Sequence, residues 1–258
     1  MAAAAFTAWW PATPLPDYLM MAGVVLVGAC LQGIGGIGFA MFSAPVAGLF
    51  FPSLAPGPLL ALGGSVSLLA ALRERRSIDW RMAGVTLLGR VTGTAAAGAV
   101  LLALSARMLT LMYGSLLLAA VAASYAGWRV QPTRRSMAAA GLVSGLMGTI
   151  TSAGAPPFAI VMQRLDPARL RATVGCILAA GGLVSLGLLT AVGRFGAPQL
   201  ALSASLAPWM VAGFLLSGPL TGRVSSGQVR HLLLGLAGLG AAGILVKALL
   251  GAAAVAAA

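Results

Sequence analysis

Few side chains in this sequence can do chemistry, and their scarcity narrows the field. The chain has four Asp and Glu, one His and two Cys in 258 residues. Asp17, Glu74, Asp79 and Asp166 fall in loops or at the edges of apolar runs, and His231 sits beside Arg230. Cys30 and Cys176 lie singly inside apolar segments and read as packed thiols. No Ser/His/Asp or Cys/His constellation exists, and no group has metal-ligand spacing. The chain is therefore expected to be no enzyme and to need neither metal nor cofactor. What remains is hydrogen-bonding chemistry, concentrated in two glycine-rich stretches and one arginine. The first stretch is Gln32-Gly33-Ile34-Gly35-Gly36-Ile37-Gly38-Phe39-Ala40, followed by Ser43 and Pro45. The second runs from Ser144-Gly145-Leu146-Met147-Gly148-Thr149 through Thr151, Ser152 and Gly154 to Pro157.

Glycine weakens a helix by roughly 1 kcal/mol per residue, so such clusters are expected to break helices. A broken helix exposes backbone N–H groups at the positive end of its dipole, which suits a small oxyanion. The hydroxyls of Ser43, Thr149, Thr151 and Ser152 would add donors. Gln32 and Ser144, at matching places, either close such a site from two sides or make helix-to-helix hydrogen bonds. The glycines have a second reading too, as small residues that let helices approach closely. Gly33-x-Gly35-x-x-Gly38 also fits the dinucleotide fingerprint, but the strand, the βαβ unit and the following acidic residue are missing. Arg90 is the one charge deep inside an apolar run, ten residues beyond Trp80. A cation there is costly unless paired or hydrated, and no intramembrane carboxylate is present. It contacts an anionic substrate, or it snorkels or pairs with carbonyls, or the span boundary lies elsewhere.

The elements that must position these residues belong to a membrane. The chain is 60 % hydrophobic and 8 % charged, with a mean hydropathy of +1.00, which excludes an ordinary soluble domain. The net charge of +12 resides in arginines of short loops, a topology signal and no footprint for nucleic acid. From Tyr18 to Phe51 no side chain is charged, a run too long for one span of ~20 residues and too short for two with a turn. It reads as a helical hairpin with its tip inside the membrane, where irregular backbone is tolerated only if buried or lining a watery cavity. A shift of 112 lays Ser144-Gly145 on Gln32-Gly33 and Pro157 on Pro45, so the chain reads as two related halves. Paired, Gly/Pro-interrupted segments of this kind point to the binding site of a secondary transporter.

The expected fold is an all-α polytopic membrane protein of two inverted repeats, each a broken-helix hairpin plus three transmembrane helices, forming one membrane domain. The first repeat covers 1–130, with hairpin 18–51 and spans 59–72, 82–104 and 108–128. The second covers 131–258, with hairpin 137–162 and spans 173–192, 199–221 and 232–250. Residues 1–16 lack signal-peptide features and are expected to stay on as an interfacial lead-in. If each hairpin leaves on the side it entered, the loops 73–81, 129–135, 164–171 and 223–231 share one face. They then hold all of the sixteen Lys and Arg except Arg90, Arg107, Arg194 and Lys247. Counting each hairpin as one crossing weakens that bias. Cytoplasmic loops concentrate Lys and Arg, so that face is cytoplasmic and both termini are periplasmic.

Four ordered motifs carry a family resemblance: Gln32-Gly33 through Gly36-Ile37-Gly38-Phe39 and Pro45; Arg73-Glu74-Arg75-Arg76-Ser77-Ile78-Asp79-Trp80-Arg81; Ser144-Gly145 through Gly154-Ala155-Pro156-Pro157; and Arg171-Ala172-Thr173. Over nearly its whole length the chain resembles the TauE/SafE sulfite exporter (TSUP) family. The resemblance implies a bacterial inner-membrane carrier of sulfite, sulfonates or other small anions of sulfur metabolism. Ser152 and Ala155 stand where the second tip of this type usually has Gly, which bears on the substrate. The expected function is a secondary transporter alternating access around the two tips; the rivals are an anion channel and a membrane subunit serving a partner enzyme. The expected partners are a small anion, a coupling proton or sodium ion, and the lipid bilayer. No oligomeric state is written in the sequence.

Overall fold

The computed structural model describes residues 14–126, 130–162, 164–221 and 226–256. The Trp9-Trp10 lead-in, Arg129 and Arg223 lie outside them. Among the described residues the protein is all helix, with ten α-helices and no strand. In chain order these are α1 (Leu15–Gly35), α2 (Gly38–Phe50), α3 (Gly57–Arg73), α4 (Trp80–Ala103), α5 (Ala106–Tyr125), α6 (Arg134–Thr151), α7 (Pro156–Val161), α8 (Pro167–Ala191), α9 (Ala197–Leu220) and α10 (Ser226–Ala256). Polar side chains at the loop edges start several of them. Asp79 accepts from Met82 N–H, Ser105 from Met108 N–H and Asp166 from Ala168 N–H, while Thr133 and Ser136 form a reciprocal capping box.

Five helices, α1, α4, α8, α9 and residues 107–125 of α5, are long and apolar enough to cross a membrane; α2, α3 and residues 234–250 of α10 are shorter apolar helices. Large apolar side chains face outward as well as inward. Leu88, Leu102, Leu183 and Leu239 are each more than 70 % exposed, an arrangement that lipid solvates and water does not. The two arms of the first hairpin are unequal in length. The first arm, α1, has 21 residues and is by itself roughly 31 Å long, while the returning α2 has 13.

Both helix breaks exist, in different registers. Gly36 adopts φ +81° and ends α1, its N–H bonded to Gln32 O at 2.7 Å. Position 148, 112 residues on, is still helical. The second break comes one turn later at Ser152, with φ +63° and its N–H bonded to Gly148 O at 2.8 Å. The hydrogen-bonded counterpart of Gln32 is therefore Gly148, and Ser144 lies one turn deeper in its helix.

Helix packing follows a paired pattern along the chain. α1 packs on α9 as α6 packs on α4; α2 packs on α10 as α7 packs on α5; α3 packs on α9 as α8 packs on α4; and the pairs α3/α8 and α5/α10 map onto themselves. α4 and α6 run parallel, since Gly89 meets Ala138, Gly93 meets Leu142 and Gly145 meets Arg90. Trp80 and Arg134, their first residues, thus share one end of the bundle. α3 and α8 are antiparallel, with Glu74 beside Arg171 at that basic end and Gly57 beside Phe195 at the other.

Candidate anion-binding site

Arg90 reaches the centre because α4 and α6 touch backbone to backbone. A Cβ on Gly89, Gly93, Gly141 or Gly145 would lie within 2.1 Å of a carbonyl oxygen of the facing helix. Four small residues thus draw the helices close, as at other membrane helix crossings. The guanidinium turns inward and is 1 % exposed. Glycines surround it on three elements: an added Cβ would lie 3.3 Å from Nη2 at Gly148, 2.9 Å from Nη1 at Gly154 and 1.8 Å from Nε at Gly181. Nη1 donates to Ser144 Oγ at 2.5 Å, and Ser144 Oγ donates onward to Gly154 O at 2.6 Å. Ser144 therefore ties the second tip to the middle of α6, and the arginine is anchored on the same hydroxyl. Nε has no hydrogen-bond partner. No carboxylate answers the charge either: the ion pairs among the described residues are Arg169–Asp79 and Arg171–Glu74, both at the basic end.

Arg90 lines a small cavity of about 30 Å³ between the two tips, with Gln32, Phe39 and Ser67 on the first-hairpin side and Ser152, Gly154 and Ala155 on the second. That volume holds about two waters, the scale of a small ion. Gln32 is 2 % exposed. Its Nε2 donates to Gly36 O at 2.8 Å and to Ser67 Oγ at 3.1 Å, and its Oε1 accepts from Phe39 N–H at 3.1 Å. The amide at the start of α2, expected to be open, is thus capped by Gln32. At the second tip Ala153 N–H donates to Thr151 Oγ1, and Ser152 Oγ donates to Pro56 O at 2.9 Å.

The other candidates from the sequence stand back from the cavity. Gly33 packs on Ser217, Gly38 on Leu31, and Gly36 against Arg171. Ser43 fills the gap beside Gly28, Pro45 abuts Gly240, and Pro157 lines an outer apolar groove. Thr149 joins Thr94 and Ser185 in a buried hydroxyl cluster one turn from Arg90, with Thr149 Oγ1 also donating to Gly145 O. Thr151 Oγ1 returns to Met147 O. Ser67 and Gly181 went unnoticed in the sequence. Ser67 lies in what reads as a plain apolar run, and Gly181 is one of 35 glycines, with nothing local to set it apart.

Further contacts lie on either side. At the basic end Arg73 donates to Gly33 O and to Ser217 Oγ and stacks 4.8 Å from the Phe214 ring centre. Beside it Arg171 grips Glu74 through Nε at 3.0 Å and Nη2 at 2.6 Å. Nearby, Met82 N–H and Arg169 hold the Asp79 carboxyl below the usual carboxylate range. At the opposite end a 280 Å³ cavity is lined by Tyr113, Thr110, Ile150, Pro56 and Arg194, and Ser152 Oγ donates to the carbonyl of that Pro56.

A family model described as sulfite exporter TauE/SafE matches residues 20–246. No curated protein and no solved structure matches the chain.

Proposed function

The chain belongs to the TauE/SafE sulfite exporter family, and on that footing we propose that it is a secondary transporter of the inner membrane, carrying a small sulfur-containing oxyanion such as sulfite or a sulfonate. One observation carries the reading. A guanidinium 1 % exposed, with an unpartnered Nε and no carboxylate in reach, lines a cavity between two broken helices. A buried cation of this kind is strongly disfavoured unless compensated, and a substrate anion compensates it. The charged closure at one end and the hydrogen-bonded closure at the other favour a carrier with alternating access over an open pore. The exchange of packing partners between halves supports two inverted repeats, since an odd number of crossings per half reverses the second.

Reconstitution into liposomes tests this. Saturable flux of sulfite or methanesulfonate, but not of acetate, is expected from the wild type and is abolished in Arg90→Ala. Wild-type flux through Arg90→Ala refutes the site, and no flux of any anion refutes the transporter.

A further inference from the structure

We propose that Ser67 is a second ligand of the anion, on the α3 wall of the cavity, and that Gln32 is the residue that positions its hydroxyl. The inference rests on reading the cavity as an anion site and adds the residue that selects among anions.

The hydrogens can be counted. The Gln32 amide faces a carbonyl, Gly36 O, on one side and an N–H donor, Phe39 N, on the other, so its orientation is fixed by its partners. Both amide hydrogens are committed, one to Gly36 O and the second to Ser67 Oγ. Ser67 Oγ is therefore an acceptor toward Gln32, and its own hydrogen must go elsewhere. Buried hydroxyls in these helices ordinarily return to the carbonyl one turn back, as Thr86 does to Met82, Thr149 to Gly145 and Thr151 to Met147. Ser67 makes no such bond, although it is 1 % exposed. It lines the same cavity as Arg90. The other hydroxyl lining the cavity, Ser152 on the second tip, is already spent on Pro56 O.

A buried O–H without an acceptor is unfavourable, and one that already accepts from an amide is a stronger donor. The unmet groups of the cavity are thus an arginine and a hydroxyl. Together they suit a ligand with at least two acceptor oxygens: one oxygen meets the guanidinium by charge and another meets Ser67 by a directional bond. A halide satisfies the charge and gains less from the directed hydroxyl, so Ser67 sets the preference for oxyanions over halides. Because the same Gln32 amide holds Gly36 O, occupancy at Ser67 is linked through one side chain to the first helix break.

The test is titration of the detergent-solubilised full chain with sulfite and with chloride, alongside melting. Ser67→Ala is expected to weaken sulfite binding about tenfold while changing chloride binding less than about twofold, and to lower the melting temperature because the second Gln32 amide hydrogen loses its acceptor; Ser67→Thr, which keeps the hydroxyl, is expected to restore both sulfite binding and stability. Unchanged sulfite affinity in Ser67→Ala, with Arg90→Ala inactive, overturns the proposal and leaves the anion site standing. Equal losses for sulfite and chloride also overturn it, as the mark of a purely structural role. Normal sulfite binding by Arg90→Ala removes the site itself.

Discussion

Arg90 is positioned by residues that have no side chains. Gly148, Gly154 and Gly181 come from α6, the second break and α8, and each leaves the space that the guanidinium fills. Gly181 is the tightest, because a Cβ there would lie 1.8 Å from Nε and 2.1 Å from Cδ. Gly181→Ala must displace the arginine or part α8 from α4. It is expected to reduce sulfite affinity roughly ten- to a hundredfold, the worth of a charge-assisted contact, at a stability cost of about 1–3 kcal/mol for overpacking. Gly187 lies on the same helix with nothing within 4 Å of an added Cβ, so Gly187→Ala is the matched control and should bind normally. If titration finds the two variants alike, the gap at Gly181 does not place the guanidinium.

The hairpins are elements whose breaks are held by side chains as much as by glycine. At the first, Gly36 takes φ +81° with Arg171 packed over it, and Gln32 caps the restart of the helix at Phe39. At the second, Ser152 takes the left-handed conformation without being glycine, held by its bond to Pro56 O. The glycines of the first cluster are therefore not equivalent. Gly36→Val places a β-branched residue at a strained backbone, costing about 1–3 kcal/mol, and its Cβ would lie 2.8 Å from Arg171 Cγ. It is expected to lower the melting temperature and abolish flux. Gly35, one residue earlier, is helical with open space around it, so Gly35→Ala should hold or raise stability by up to about 1 kcal/mol. Melting curves of the two in one detergent separate a required turn from a tolerant neighbour, and equal destabilisation would contradict the assignment.

For the molecule as a whole, direction follows from which ends meet. Glu74 with Arg171 and Asp79 with Arg169 bring the 73–81 and 164–171 segments together, and the parallel α4 and α6 add the 134 end to the same side. Arg194 and the 280 Å³ cavity it lines lie at the other end of the α3/α8 pair. With Cys30 and Cys176 replaced, single cysteines at Ser77 and Ala168 are expected to react with an impermeant reagent only from the cytoplasm. One at Ala197 should react only from the periplasm. Labelling of Ser77 and Ala168 from opposite sides would break the inverted-repeat reading.

The sequence by itself determined the solvent and the places where the helices break. Scarce charge and a mean hydropathy of +1.00 set a lipid environment, and the glycine clusters broke α1 and ended α6 near where they stand, because both effects act on each stretch locally. Residue types also singled out Gln32, Arg90 and Ser152, which line the cavity, and Ser144, which holds the guanidinium. The tertiary structure alone decided the rest. It moved the second break one turn past the matching position, turned Ser43, Pro45 and Pro157 to packing, and brought Ser67 and Gly181 to the centre. The reason is that a side chain's neighbours within a membrane bundle depend on how closely helices distant in sequence can approach. Here that approach is fixed by backbone contacts such as Gly145 on Arg90 O, and no stretch of either helix records it alone.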